Sequence, residues 1–242
     1  MSDAYKYLRE ETYEANMEIP RRKLAIYTWG NVSAFDPDKL VFGIKPSGVD
    51  YETLKAQDIV VVDIDGKVVD GKLKPSSDTG THRVLYHEFV HRSFGAKVAM
   101  KGICHTHSTY AVAFSQARLS VPVYGTTHAD YGAEEIPCTD IMSEDASKGN
   151  YEMETGKLII ETLIRRGINP LSMPMVLVAG HGPFVWGENA AQAVYHAVVL
   201  EEICKIAHLT MILDPKAKPL PEYLIKKHWE RKHGAKAYYG QK

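Results

Sequence analysis

The sequence predicts a single α/β domain over residues 1–242, a mixed and mainly antiparallel β-sheet sandwiched by α-helices. Three observations predict it. Short β-type runs alternate with helical stretches along the whole chain. The dipeptide Asp65-Gly66 lies between apolar runs and marks a tight hairpin, so the sheet cannot be purely parallel. No Pro/Gly/Ser-rich linker, internal repeat or low-complexity segment divides the chain, whose length suffices for one large core.

The elements follow in order. Residues 4–18 carry a helical pattern with Leu8, Ala15 and Ile19 on related faces, and Pro20 stops it. β-type runs come next at Ile26–Ala34 and Leu40–Ile44. Asp58–Val69 reads as a hairpin entered by Ile59, Val60, Val61 and Val62. Residues 80–93 are predicted helical and Ala99–Thr106 a strand. Ser108–Ala117 is expected as a short helix capped by Ser108. Thr155–Arg166 reads as a helix closed by Gly167. Met175–Ala179 and Phe184–Trp186 are expected as short buried strands. Asn189–Leu213 is a long apolar helix with Asn189 as N-cap, and Pro221–His233 a charged helix ended by Gly234.

Lys and Arg number 29 against 30 Asp and Glu, a formal net charge of −1. That balance excludes a nucleic-acid binder driven by bulk charge. The charged N-terminus MSDAYKYLREE has no apolar core of a signal peptide. No apolar run reaches the ~18 residues of a membrane span. Cys104, Cys138 and Cys204 form no CxxC pair, which argues against a disulfide framework or a cysteine zinc site and for a reducing compartment such as the cytoplasm. The unusual count is histidine, at 11. Imidazole is the commonest metal ligand and titrates near neutral pH.

Two histidine motifs compete for a metal. In His105-Thr106-His107, residues i and i+2 of a strand share a face, so both imidazoles can reach one ion at Zn–N distances of ~2.1 Å. The alternative for this pair is two partly buried histidines at a strand end. His87-Glu88-Phe89-Val90-His91 is a literal HExxH. On a helical wheel its histidines share a polar half with Arg83, Glu88 and Arg92, while Leu85, Tyr86, Phe89 and Val90 form the other. That pattern is the solvated side of an amphipathic helix, and the guanidinium groups disfavour a cation. Phe94 and Lys97 stand where an extended zinc-protease motif needs glycine and histidine. The solvated reading is preferred, and His82 is grouped with His87 and His91 as solvent-facing.

Three further segments are chemically loaded. Lys45-Pro46-Ser47-Gly48 and Lys74-Pro75-Ser76-Ser77-Asp78 each set hydroxyls after a proline-stiffened turn. The second opens a helix, whose N-terminus favours phosphate, though Ser77 or Asp78 could simply cap it. Gly180-His181-Gly182 lets backbone approach closely around a histidine, or is only a turn with that histidine exposed. Gly125–Gly132 is rich in polar residues and turn formers and by itself reads as a loop.

At these residues the chain resembles the L-ribulose-5-phosphate 4-epimerases of the class II aldolase/epimerase family. The motifs that carry the resemblance are Thr28–Ser33, Ile44–Asp50, Lys74–Thr79, His105–Ser108, Gly125–Tyr131, His181–Phe184 and Lys232–Gly240. They are ordered along most of the chain. The resemblance implies one divalent ion per subunit, usually Zn2+, on His105, His107 and His181, with Asp78 ligating or close by. It implies that Gly30, Asn31, Ser47, Gly48, Ser76 and Ser77 line the substrate and phosphate pocket, supported by Lys45, Thr126, His228 and Arg231. Asp130 and Tyr239 match the acid/base pair. It further implies a homotetramer in which the C-terminal tail, about 221–242, brings the tyrosine into a neighbour's site. No nucleic-acid or membrane partner is expected. The stretch 88–101 is longer than the family pattern and has no assigned role.

The implied substrates, L-ribulose 5-phosphate and D-xylulose 5-phosphate, differ only at C4. The proton on C4 is not adjacent to the carbonyl, so deprotonation cannot invert that centre. Breaking and remaking the C3–C4 bond can, with a Lewis acid stabilising the charge and acid and base on opposite faces of the aldehyde. A tyrosine of pKa ~10 needs the metal or another cation nearby to take part, with Lys45 or Arg231 as candidates for the latter. Rival readings are a sugar-phosphate aldolase that releases the aldehyde, an HExxH zinc peptidase, and a non-catalytic scaffold, which need not keep the ligands. Arabinose use and ascorbate-type degradation share the epimerase reaction.

Overall fold

The computed structural model describes residues 3–91, 100–234 and 237. Seven strands form one sheet in the order β4-β3-β2-β1-β5-β7-β6. They are β1 (Asn31–Asp36), β2 (Val41–Ile44), β3 (Val60–Asp63), β4 (Val68–Asp70), β5 (Gly102–His105), β6 (Met175–Val178) and β7 (Gly182–Gly187). Every neighbouring pair is antiparallel. The helices are α1 (Lys6–Arg21), α2 (Thr79–His91), α3 (Thr109–Ala117), α4 (Thr126–Ala129), α5 (Glu144–Ser147), α6 (Tyr151–Arg165), α7 (Ala190–Leu213) and α8 (Glu222–His233).

The strands are short and buried on both faces: β1, β2, β5, β6 and β7 are buried almost throughout. Helices therefore cover both sides. On one side α2 lays Tyr86 against Phe35 and Phe42 and Phe89 against Trp186, and α6 packs behind α2. On the other side α1 and α7 pack on β1, β5 and β7, with α3 beside α7. Small residues allow this approach: a Cβ on Gly102 would lie 2.2 Å from the Asn189 carbonyl oxygen, just before α7. The predicted α/β sandwich is the observed one, and its sheet is antiparallel in every pair.

The element boundaries shift for local reasons. β1 begins at Asn31 rather than Ile26, because Tyr27 and Gly30 take positive φ, +53° and +71°, and turn the chain there. The β3–β4 hairpin turns at Asp65-Gly66 as predicted, with Gly66 at φ +93°. α1 carries Pro20 within its last turn and ends one residue later. α6 starts at Tyr151, four residues before its predicted start, since the Asn150 side chain caps Met153 N–H. Asn189 caps α7 as expected, accepting from Gln192 N–H. Ser108 sits at the N-cap position of α3 but its side chain does not cap. The Glu201 carboxylate on α7 takes the Tyr110 and Ala111 N–H groups instead, at 2.9 to 3.1 Å.

Candidate active site

The centre of the sheet places the first ligand. His105 ends β5, paired with Asn31 on β1 and Phe184 on β7. Its Nδ1 lies 2.8 Å from the Pro183 carbonyl oxygen. A carbonyl only accepts, so Nδ1 carries the proton and Nε2 keeps a lone pair. Burial pushes the pKa of His105 down to about 3, against a smaller upward pull from Asp78, so the ring is neutral at pH 7. Phe184 stacks on it with centroids 4.3 Å apart.

His107 follows two residues later, and His181 sits in the β6–β7 hairpin, where Gly180 at φ +74° makes the turn. The turn folds inward and delivers the half-buried ring to the site, so the reading of an exposed turn histidine does not hold. Nε2 of His105 and Nε2 of His107 are 3.1 Å apart, close to the ~3.4 Å between two ligands at ~2.1 Å on a tetrahedral ion. The ligand atoms of His105, His107 and His181 all lie within 4.8 Å of one another, the group of this kind found among the described residues. Burial also lowers the pKa of His107 and of His181, again opposed by Asp78. Three neutral imidazoles that converge without an intervening cation of the protein fit a divalent metal, with coordination positions left for substrate.

Asp78 stands beside this triad and outside that group. Its Oδ2 accepts from the Asn31 side-chain amide at 2.6 Å, and the same amide reaches Ser76 Oγ at 3.2 Å. Burial alone would raise the Asp78 carboxyl, but the imidazoles of His105 and His82 and the Asn31 amide hold it below the usual carboxylate range. The two Lys-Pro-Ser turns are brought together by an antiparallel bridge between Pro46 and Pro75. Ser47 N–H donates to Lys74 O at 2.9 Å and Ser76 N–H to Lys45 O at 3.0 Å. Gly30, Asn31, Lys45, Ser47, Gly48, Ser76, Ser77, Asp78, His107 and His181 thus line a single polar cleft of about 460 Å³. Burial lowers the Lys45 ammonium pKa to about 8, Asp50 resisting.

A second cluster lies apart from this cleft. Asp130, just past α4, faces α8. Arg231 Nε donates to its Oδ1 at 2.9 Å and Arg231 Nη2 to its Oδ2, with His228 Nδ1 at 3.2 Å from Oδ1 and Lys232 Nζ at 3.8 Å from Oδ2. Burial would raise this carboxyl too, yet Arg231 and His228 hold it low. Thr126, at the start of α4, accepts the Asp130 N–H at 3.0 Å. Asp130, Thr126, His228 and Arg231 are therefore gathered together but are not among the residues lining the cleft. Tyr239 lies outside the described residues, as does most of the 88–101 stretch.

The HExxH segment falls on α2 with His87 exposed, as the wheel predicts; the His91 side chain lies outside the description. His82 corrects the sequence reading. It is fully buried, with Nδ1 2.7 Å from Ser33 Oγ, and burial drives its pKa to about 4 despite Asp78. Sequence reasoning also gave no role to Trp29, Tyr151 and Glu152, which line the cleft. The Tyr151 hydroxyl lies 3.5 Å from His181 Nδ1. Its only sequence signal was the neighbouring Asn150, a good cap residue.

Comparison with known proteins gives consistent matches. The family described as class II aldolase and adducin N-terminal domain matches residues 10–208. The L-ribulose-5-phosphate 4-epimerase UlaF of Salmonella paratyphi B is 49% identical over 235 residues, 97% of this chain and 99% of its own length. UlaF of Salmonella typhi matches with the same identity and coverage. Among solved structures, an L-fuculose 1-phosphate aldolase superposes with a TM-score of 0.75 at 25% identity, covering 96% of this chain and 97% of that one. YgbL of Klebsiella pneumoniae, a putative aldolase/epimerase/decarboxylase, superposes at 0.68 with 23% identity over 91% of this chain and 97% of its own, a likeness of fold alone.

Proposed function

The chain belongs to the class II aldolase and adducin family, and within it we propose that it is a metal-dependent epimerase interconverting L-ribulose 5-phosphate and D-xylulose 5-phosphate at C4. The observation that carries this reading is the neutral histidine triad at the end of a hydroxyl-lined cleft, in a chain 49% identical over nearly its whole length to enzymes named for that reaction. The metal is Zn2+, one per subunit, the ion best suited to three imidazoles and an open position.

A divalent ion on His105, His107 and His181 supplies Lewis-acid stabilisation of the negative charge that develops when C3–C4 breaks. The protein does the rest. Asp78, ionised, holds the Asn31 side-chain amide in place in the cleft wall. Ser47, Gly48, Ser76 and Ser77 take the phosphate, with the Lys45 ammonium as counter-charge, so the two-carbon fragment stays tethered and its effective concentration high. Asp130 is ionised at neutral pH because Arg231 and His228 hold its pKa down, so it begins as the proton acceptor. Tyr239 begins as the donor on the opposite face, the arrangement that inversion needs. Thr126 anchors the backbone of Asp130.

Asp130 and its cations lie apart from the cleft of their own chain, which supports an assembly in which a neighbour completes each site. We assign this to a homotetramer whose tail, about 221–242, reaches across, in a chain that is one domain. No helix among the described residues is long and apolar enough to cross a membrane. The three cysteines are free thiols, two of them buried, which supports a reducing, cytoplasmic setting in pentose catabolism. A coupled assay that detects D-xylulose 5-phosphate from L-ribulose 5-phosphate tests the reading. Activity lost on chelation is expected. Free glycolaldehyde phosphate as the main product would favour the aldolase instead.

A further inference from the structure

Epimerisation by cleavage imposes a demand that aldol cleavage does not. The C3–C4 electron pair passes to C3, giving the enediolate of dihydroxyacetone, while the C4 hydroxyl loses its proton and C4–C5 becomes glycolaldehyde phosphate. The aldehyde must then turn over, be attacked by C3 on its other face and regain a proton on oxygen. Escape at that moment yields dihydroxyacetone, once C3 is protonated, and free glycolaldehyde phosphate. The cleft therefore needs a wall that holds the fragment yet lets it rotate. A hydrogen-bonding wall would arrest rotation, whereas an aromatic face makes contact without direction.

Trp29 offers such an aromatic face. The cleft lining is otherwise mostly polar, and this indole sits at its margin with 52% of its surface exposed, its centroid 5.9 Å from that of His107. Half of the indole surface is open where it borders the cleft, so a bound fragment can lie against it. Its backbone is clamped. The buried Tyr51 hydroxyl lies 3.0 Å from the Trp29 carbonyl and 2.9 Å from that of Gly30, and Trp29 N–H donates to Ile26 O at 3.1 Å. Gly30 holds φ +71° where a Cβ would stand 2.7 Å from the His105 carbonyl oxygen, so the turn is locked to the ligand strand. Tyr151 lines the cleft beside His181.

We propose that Trp29 is the specificity-determining wall of this site, and that it sets the ratio of C4 inversion to release of the cleaved fragments. This rests on the epimerase reading. The test gives L-ribulose 5-phosphate to the zinc-loaded wild type, Trp29→Ala and Trp29→Phe, and counts D-xylulose 5-phosphate against free glycolaldehyde phosphate and dihydroxyacetone, with zinc content measured on each protein. Trp29→Ala is expected to release at least ten-fold more fragment per inversion at unchanged zinc content, and Trp29→Phe to restore most of the wild-type ratio. Should Trp29→Ala fail to fold, Trp29→Leu, which keeps bulk but loses the flat face, is read in the same way. An unchanged ratio in Trp29→Ala or Trp29→Leu overturns the inference while leaving the epimerase intact. A wild type that inverts nothing overturns the epimerase reading itself, and this inference with it.

Discussion

His105 has its proton placed by one backbone carbonyl, and the site's chemistry turns on that. With Nδ1–H given to Pro183, the Nε2 lone pair is left to the triad, 3.1 Å from His107 Nε2. His105→Asn is expected to abolish metal binding and epimerisation, while His87→Asn, exposed on α2, leaves both intact; elemental analysis and rate measurements check this, and the reverse pattern would move the metal to the HExxH segment. His82 makes a separate prediction through pH. Its folded pKa of about 4 lies below the unfolded value near 6.5, so the unfolded chain takes up a proton that the native state refuses. Stability present above pH 6.5 is therefore lost as pH falls toward 4, by about 3 kcal/mol at most. In metal-free protein, His82→Asn should flatten the urea-unfolding free energy between pH 6.5 and 4 relative to wild type; an equal slope in both would place that titration elsewhere. The burial of His82 was legible in the sequence, because it precedes Leu85, Tyr86 and Phe89 by three, four and seven residues, the spacing of the apolar face. The HExxH match drew it to the wrong side.

Elements were legible where a local signal was strong and shifted where a distant partner decided. The Asp65-Gly66 turn, the Asn189 cap and the Gly167 stop are short-range chemistry, and each stands as the sequence predicts. The start of β1 and the cap of α3 are not short-range. β1 waits for the turn at Tyr27 and Gly30, and Gly30 packs directly on the His105 backbone. α3 is capped by Glu201, 90 residues from Ala111 along the chain, so Ser108 was the only visible candidate. The cap predicts an energy. Glu201→Ala strips acceptors from two N–H groups and should cost about 1–2 kcal/mol in urea unfolding, with zinc content preserved. A loss smaller than Ser108→Ala produces would return the cap to Ser108. The same long-range logic explains the cleft. The two Lys-Pro-Ser motifs are separate in sequence and only the resemblance joined them; their bridge at Pro46 and Pro75 is the physical reason they line one pocket.

At the scale of the molecule, a helix-covered antiparallel sheet gathers the triad at the meeting of β5 and the β6–β7 turn, and leaves Asp130 with α8 in a separate cluster. The resemblance implied that the tail serves a neighbouring subunit, but it gave Asp130 no separation from the ligands, and that separation is visible only in the folded chain. A shared site predicts that His105→Asn and Tyr239→Phe subunits, each poorly active alone, complement each other when mixed. Random tetramers should regain up to about a quarter of wild-type sites, and an active monomer in light scattering would refute sharing. The central claim is that the cleft beside this triad inverts C4 of a pentulose phosphate. Proton NMR of L-ribulose 5-phosphate with the enzyme, before chelation, after it, and after zinc is returned, tests that most directly. The account predicts D-xylulose 5-phosphate in the first and third spectra and none in the second; conversion that persists in the chelated sample, or no conversion with zinc restored, would contradict it.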